Sequence, residues 1–236
     1  MIQAKSDGSH NRLLSALSST TRQRLLSECE RVPLERSIDI GPSGPDAEHA
    51  YFPVAGFVSQ VLRLDDGHQL ELGMIGDEGM LGTALVLGHS QAFEGWSVQA
   101  EGSAWRISAR ELKRQLATDA LMRQTLHRYA YILMGQFAQT AACAHFHELE
   151  PRLAGWLLAI RDRCHSDSFL ITHEFLAYML AVRRAGITHA ATSLRNRGLI
   201  RYRRGAVEVV RVRALEDASC GCYRQAKKRY DIAFAD

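Results

Sequence analysis

The stretch that decides the fold is residues 172–210, which read THEFLAYMLAVRRAGITHAATSLRNRGLIRYRRGAVEVV. Thr172 is a good N-cap for a first helix that ends at Leu180, because its hydroxyl can accept from a free amide of the first turn. The small side chain of Ala177 lets another helix cross this one closely. The core beneath the crossing is expected to come from Leu176, Leu180, Val182 and Ile187. The pattern predicts a helix-turn-helix over Thr172–Arg197.

The second helix of this motif is predicted from about Arg184 to Arg197, because Gly198 can end it. Its apolar face comprises Ile187, Ala191 and Leu194. Another face carries, near the start of the helix, Arg184, Thr188 and His189. In DNA-reading motifs of this kind one face of the second helix packs, while the N-terminal end of the other reaches base edges in the major groove. The distribution of residues therefore indicates a DNA-reading helix.

The segment after Gly198 alternates as two strands around Arg204-Gly205, which predicts a β-hairpin. Between Arg183 and Arg213, nine arginines face a single acid, Glu208. Such a cluster is the electrostatic footprint of a polyanion-binding surface, and a basic hairpin in this place is typical of a wing that grips phosphate. A merely solvated basic face has the same composition, so charge alone does not decide.

The first half of the chain has a different texture. At 236 residues, 23% charged and 46% hydrophobic, the chain favours two folded domains. Short helices are predicted within Asn11–Cys29, with a break and a new N-cap at Ser18-Ser19-Thr20. From Val32 to Ile107 short alternating segments are punctuated by glycine and proline, which predicts an antiparallel sandwich or barrel. Its clearest hairpin turns at Asp66-Gly67.

A long helix is predicted over Asp119–His147, where the only glycine is Gly135 and there is no proline. About 28 residues at 1.5 Å each would span about 40 Å, more than one small domain covers. We therefore predict that this helix pairs with a second copy of the chain; the alternative is that its apolar stripe packs on the sandwich alone. Pro151 is interpreted as the next boundary. The stripe comprises Met122, Leu126, Tyr129, Leu133, Phe137 and Thr140.

Taken in order, these features resemble the family of the cyclic AMP receptor protein and the fumarate and nitrate reduction regulator, the Crp/Fnr family. Residues 51–59 (YFPVAGFVS) and 76–82 (GDEGMLG) resemble its sensor roll, and residues 152–158 resemble the first helix after its dimer helix. The resemblance covers nearly the whole chain. It implies an α+β fold with an antiparallel β-roll like cyclic-nucleotide-binding domains (1–117), a long dimerisation helix (118–147) and a winged helix-turn-helix (148–236).

For function, the resemblance implies a sequence-specific transcription regulator without enzymatic activity. It would act as a homodimer on a near-palindromic site in double-stranded DNA, with RNA polymerase as a further partner. Arg184 occupies the place of the family's base-reading arginine, expected to bind guanine, and His189 falls where a second arginine is common. The residues expected at phosphate are Arg183, Thr188, Arg195, Arg201, Arg203 and Arg204.

Two residues depart from the family pattern. Ala185 stands where many members carry a glutamate that accepts from cytosine, so the best-known half-site of the family is not expected here. Ala181 stands where the turn usually has glycine, and a left-handed conformation there would cost about 1 kcal/mol.

No cofactor is predicted. Cyclic AMP needs a cation for its phosphate, but no lysine or arginine lies between Arg63 and Arg106, and residues 93–96 (FEGW) hold an acid and aromatics where that cation is expected. An iron–sulfur cluster needs four ligands, and only Cys29 of the five cysteines lies in the first half. His68 or His89 could ligate haem, but a lone histidine in a turn is more often solvated. An unidentified effector between roll and long helix, or none, stays open.

No metal site is predicted either. Cys143 and His147 lie one helical turn apart near His145, and Cys220 and Cys222 form a second pair. Neither pair supplies the four ligands of a structural zinc site. We interpret them as a helix end with surface histidines and as ordinary thiols.

The remaining expectations concern location and alternatives. No apolar run approaches the roughly 20 residues that cross a bilayer, and the N-terminus lacks the apolar core of a signal peptide, which predicts a cytoplasmic protein without a membrane partner. One alternative is a sensor that binds a ligand or a protein and has no specific DNA role, against which the arginine cluster argues. Another is an enzyme on the roll, but His49, His68 and His89 do not cluster as ligands on neighbouring strands would.

Overall fold

A computed structural model of the chain describes residues 10–36, 38–41, 47–67, 69–203 and 205–234. Two short helices open this structure, α1 (Arg12–Ser15) and α2 (Ser19–Ser27). The hydroxyl of Ser18 accepts from the amide of Thr21 at 3.1 Å, so the predicted new N-cap is confirmed.

The first domain is built on an antiparallel sheet. Its strands are β1 (Glu30–Leu34), β2 (His49–Arg63), β3 (Gln69–Ile75) and β4 (Gly95–Ser108), in the order β1-β4-β2-β3. Helix α3 (Thr83–Val86) lies between β3 and β4. The hairpin predicted at Asp66-Gly67 is confirmed, since Arg63 pairs with Gln69 and Gly67 has φ +85°.

Two glycines allow β2 and β4 to bend. The pairing between these strands shifts register on both sides of Ala55 and again after Phe57. Gly56 has φ +77°, and a Cβ there would lie 2.3 Å from the carbonyl oxygen of Ala100. A Cβ on Gly102 would lie 1.9 Å from the carbonyl oxygen of Ala55. No larger residue fits at either bulge, and the bulges curl the long strands into a roll.

The roll is followed by α4 (Ala109–Thr118) and by the long helix α5 (Ala120–Phe146). Asp119 caps α5, since its Oδ1 accepts from the amide of Met122 at 2.9 Å. The predicted long helix is confirmed, and its 27 residues span about 40 Å.

The apolar stripe of α5 faces the roll of its own chain. Met122, Leu126, Tyr129 and Leu133 are buried in the core of their own roll, and Phe137 packs against it. The hydroxyl of Tyr129 donates to the carbonyl of Met80 at 3.2 Å, and Thr140 Oγ1 donates to the carbonyl of Leu72 at 2.9 Å. The first four residues are therefore covered within the single chain, whereas Phe137 and Thr140 are half-buried, and the dimer role of the six stays a prediction.

A neighbouring stripe of α5 is open instead. Tyr131 is 73% exposed and Met134 is 57% exposed. Continuing at the same alternating spacing of three and four, Ala138, Ala141 and His145 are also exposed. We call these five residues the open seam.

The second domain begins at α6 (Leu149–Cys164). Pro151 lies inside the first turn of α6, where the amide hydrogen would have no partner within the helix, so the break falls at His147-Glu148 and not at the proline. The next elements are β5 (Ser168–Leu170), α7 (His173–Met179), α8 (Arg184–Asn196), β6 (Ile200–Arg203) and β7 (Ala206–Val209). The strands form a sheet in the order β5-β7-β6. The domain limits given from the sequence stay a prediction.

Two last helices, α9 (Val212–Ala218) and α10 (Gly221–Phe234), follow the wing. Helix α10 returns to α5: Arg229 Nη1 donates to the carbonyl of Gly135 at 3.0 Å, and Arg128 Nη1 donates to the carbonyl of Ala233 at 3.1 Å. Nothing in the sequence analysis predicted this return. Among the described residues, no helix is long and apolar enough to cross a bilayer.

Candidate nucleic-acid interface

The helix-turn-helix forms where the sequence predicts it. Thr172 caps α7 by accepting from the amide of Phe175 at 3.1 Å. The helix ends at Met179, one residue before the predicted end. Ala181 has φ +51°, the left-handed conformation that the turn requires, and the amide of Val182 donates to the carbonyl of Ala177 at 2.9 Å. The turn is thus closed over α7 although its left-handed residue carries a Cβ.

Helix α8 divides into a packed and an exposed side. Its buried residues are Ile187, Ala190, Ala191 and Leu194. At its N-terminal end Arg184 and His189 are exposed, as are Arg183 before it and Arg195 in its last turn. Gly198, with φ +67°, follows the helix as predicted. The base-reading candidates therefore lie on a free surface that a DNA groove can reach.

Thr188 is the exception among the α8 candidates. Its Oγ1 lies 3.1 Å from the carbonyl of Arg184 and 3.1 Å from Nδ1 of His173. Burial, and secondarily the charge of Arg184, lower the pKa of His173, so this imidazole is neutral at neutral pH. The Thr188 hydroxyl is therefore already hydrogen-bonded within the domain. It would have to break these hydrogen bonds to bind a phosphate.

The wing is also present, as the hairpin β6–β7 with Gly205 at φ +80°. Arg201 stands directly opposite Glu208, and its Nη1 lies 3.3 Å from both carboxylate oxygens. Arg203, at the end of β6, is exposed. Arg204 lies outside the described residues. The hydroxyl of Tyr202 donates to the carbonyl of Ile171 at 2.6 Å and ties the wing to the start of α7.

The nearby arginines separate into two groups. Arg197 pairs with Glu150 at 2.6 Å, and Arg211 donates to the carbonyls of Arg197 and Gly198, just past the end of α8. These two hold the domain together. Within the described part of the chain no ion pair neutralises Arg183, Arg184, Arg195 or Arg203. These four side chains, on α8 and the wing, are therefore available to a polyanion.

The comparisons with known proteins agree with this geometry. Residues 151–218 match the family model of the Crp-like helix-turn-helix domain. The chain is similar to CLP of Xanthomonas campestris, described as a c-di-GMP responsive global regulator, with a TM-score of 0.67, 18% identity and coverage of 81% of this chain and 99% of that one. FixK2 of Bradyrhizobium japonicum is similar with a TM-score of 0.70 and 13% identity, and the match covers 81% of this chain and 98% of FixK2. A CRP-family regulator of Thermus thermophilus is similar with a TM-score of 0.64 and 22% identity, and the match covers 80% of this chain and 96% of that one. No curated protein matches in sequence.

The protein therefore carries a helix-turn-helix domain of the class found in transcription regulators. Its C-terminal domain is Crp-like, and the chain has the fold of the Crp/Fnr regulators, which confirms the resemblance seen in the sequence. CLP and the Thermus thermophilus protein are both described as regulators.

The roll and the reading domain meet around a cavity of about 320 Å³. Glu71 lies beside it, fully buried, and accepts from Ser59 Oγ at 2.8 Å and from Trp156 Nε1 at 3.1 Å. Burial raises the pKa of Glu71 to about 7. Arg163 and Glu78, both mostly buried, form an ion pair at 2.7 Å on the same lining. The cavity therefore combines apolar walls with a titratable acid and an ion pair.

The residues considered for cyclic AMP and for haem can be located in the roll. Glu94 is buried, and its Oε1 lies 3.0 Å from Gln60 Nε2 and 3.3 Å from Trp96 Nε1, both of which donate to it. His89 is exposed in the loop after α3, and His49 is half-buried beside Tyr51. His68 lies outside the described residues.

One cluster was missed by the sequence analysis. The structure brings both cysteine pairs together, so that ligand atoms of Cys143, His147, Cys220 and Cys222 all lie within 4.8 Å of one another. Neither pair alone supplies four metal ligands, as the sequence analysis stated. The two pairs together do, and the total of four ligands was the signal in the sequence that could have predicted the cluster. The thiol of Cys143 bonds the sulfur of Cys220 and lowers the pKa of Cys220. His145 is not part of the cluster.

Proposed function

We propose that the protein is a sequence-specific regulator that binds near-palindromic double-stranded DNA as a homodimer. The observation that carries the proposal is the exposed, unneutralised N-terminal end of α8, held on a packed helix-turn-helix. A two-fold dimer presents two such ends to successive major grooves about 34 Å apart. Arg184 reads a base, and His189 contacts a base or the backbone beside it.

The phosphate contacts come mainly from arginines without an acid partner. Arg183 and Arg195 serve the two ends of α8, and Arg203 serves the wing, together with Arg204. Arg201 contributes less, because Glu208 opposes part of its charge. Thr188 contributes only if its hydroxyl leaves His173.

The dimer contact is the open seam of α5. Tyr131, Met134, Ala138, Ala141 and His145 recur at the spacing that pairs two helices, and the two large apolar side chains are exposed in the single chain. Two seams packed together would cover them. The seam lies beside the stripe first predicted for this role, from which its residues are offset by one or two positions.

Control by a small molecule is assigned to the cavity between roll, α5 and α6. Its lining includes Glu71 on β3 and Trp156 on α6, so a ligand there touches both domains. Cyclic AMP is not the proposed ligand, because the roll has a buried carboxylate, Glu94, where a phosphate would need a cation. Haem and an iron–sulfur cluster are not proposed either. The regulator acts in the cytoplasm, where it meets DNA and RNA polymerase.

The experiment that tests the proposal is selection of genomic fragments on purified protein, followed by binding measurements over a range of salt. A shared near-palindromic site, and an affinity that falls steeply with salt, are expected because each phosphate contact releases counterions. Binding that ignores salt, or no enrichment of any site, would favour the alternative of a sensor module without a specific DNA role.

A further inference from the structure

We propose that Cys143, His147, Cys220 and Cys222 form a structural zinc site that fastens α10 to the end of α5. Three sulfurs and one imidazole are a donor set that Zn²⁺ takes in closed, four-coordinate sites. The four residues come from two segments far apart in the chain, so the metal would connect elements that the sequence separates.

The distances between the donor atoms suit one tetrahedral ion. Zinc bonds of about 2.3 Å to sulfur and about 2.0 Å to nitrogen place two sulfurs about 3.8 Å apart, and a sulfur and a nitrogen about 3.5 Å apart. The sulfurs of Cys143 and Cys220 are separated by 3.5 Å. Cys222 Sγ and His147 Nδ1 are separated by 3.4 Å. Both separations are close to tetrahedral edges, so small rotations of the side chains suffice to bind the ion.

The backbone supports this arrangement at both segments. Cys143 and His147 face the same side at the end of α5, where the amide of His147 still donates to the carbonyl of Cys143. Cys220 precedes α10 and Cys222 lies in its first turn, where the helix dipole favours thiolates. The amide of Cys220 donates to the carbonyl of Pro151 at 3.3 Å.

A second layer of contacts orients the sulfur ligands. Gln139 Nε2 donates to the sulfur of Cys222 at 3.1 Å. The other end of this amide accepts from Arg229 Nη2 at 3.2 Å. Such partners hold ligands in position and tune the site. With three thiolates and one Zn²⁺ the site has a net charge of −1, which the cationic Arg229 and the N-terminus of α10 partly balance.

A disulfide between Cys143 and Cys220 is the competing explanation for the cluster. Their sulfurs are not bonded at 3.5 Å, and all five cysteines are free thiols. A disulfide would also leave unexplained why Cys222 and His147 converge on the same point. The metal accounts for all four residues.

The test uses the full-length chain, purified under reducing conditions, loaded with zinc and freed of weakly bound metal. We expect one zinc per chain, and a cobalt(II) derivative with the thiolate charge-transfer and intense visible bands of a tetrahedral site. Cys143→Ser and Cys222→Ser should each weaken metal binding by about tenfold or more. Cys29→Ser and His89→Ala are the matched controls, because they remove a thiol and an imidazole outside the cluster, and they should bind metal as the wild type does.

Wild-type protein gives a second readout if a variant fails to fold. Zinc should shield Cys143, Cys220 and Cys222 from a thiol reagent, a chelator should expose them, and peptide mass spectrometry identifies the modified residues. Absence of tightly bound metal in the reduced wild type would overturn the proposal. So would stoichiometric metal in folded Cys222→Ser, or a Cys143–Cys220 disulfide in protein never exposed to oxidant. None of these outcomes depends on DNA binding.

Discussion

The indole Nε1 of Trp156 donates a hydrogen bond to Oε1 of Glu71 across 3.1 Å. Trp156 belongs to the first helix of the reading domain and Glu71 to the β3 strand of the roll, so one buried carboxyl group joins the two domains. Because burial raises the pKa of Glu71 to about 7, the protonation of this joint changes within the physiological range.

The first prediction concerns this carboxyl. Because folding raises the pKa of Glu71 from 4.5 to about 7, the stability that this group contributes is fully present below about pH 4.5. It is lost as the pH rises through about 7. Glu71→Gln cannot ionise, so its free energy of unfolding relative to the wild type should grow by up to about 3 kcal/mol between about pH 4.5 and about pH 8. Urea denaturation across this range measures it. Glu101→Gln, at an exposed acid, is the control, and parallel curves for Glu71→Gln and wild type would contradict the prediction.

The second prediction separates base reading from phosphate binding. Arg184→Ala should lower affinity for the selected site by about 1–3 kcal/mol and leave binding to scrambled DNA almost unchanged. Arg203→Ala should weaken both and reduce the salt slope by about one. Fluorescence anisotropy on both DNAs at several salt concentrations gives these values. Equal losses on the two DNAs for Arg184→Ala would remove its base-reading role.

The third prediction addresses the open seam. Met134→Glu places a charge where it would meet its own copy across a two-fold contact, and like charges at an interface cost several kcal/mol. The dimer dissociation constant should rise by about a hundredfold or more. Analytical ultracentrifugation measures it, with Gln23→Glu on the exposed side of α2 as the control. A Met134→Glu protein that remains fully dimeric would place the contact elsewhere.

The fourth prediction concerns the turn. Ala181 has φ +51°, which strains a residue with a Cβ, so Ala181→Gly should stabilise the protein by about 0.5–1 kcal/mol after the added entropy of the unfolded chain is counted. Ala185→Gly, inside α8, should instead destabilise it. Thermal unfolding distinguishes the two. If both substitutions lower the melting temperature, the strain at Ala181 is negligible.

The sequence was informative where neighbouring residues determine the structure. Thr172 supplies a cap, Ala181 marks the turn and Gly198 follows the second helix, so the motif was predicted to within one residue at the end of α7. The length and the helical period of α5 were also predicted correctly from the sequence. Its partner was not, because the stripes containing Leu133 and Met134 are adjacent on the helix, and only the curled sheet determines which of them is covered.

The metal-ligand cluster could not be predicted for a different reason. Cys143 and Cys220 are separated by 77 positions, and they meet only because α10 turns back onto α5. That return depends on contacts such as Arg229 with Gly135, which no local pattern encodes. The paired charges of the wing have a similar origin: Arg201 looks like a free cation until the strand register places Glu208 opposite it.

The return of α10 has a mechanical consequence. The reading domain meets α5 twice, at its entrance beside Glu148 and at its exit, where the sulfur of Cys220 lies 3.5 Å from that of Cys143. These two contacts lie close together at the same end of α5 and define one line about which the reading domain is joined to the helix. Any rotation about this line requires the hydrogen bonds of Glu71 with Trp156 and of Arg36 with Leu170 to open.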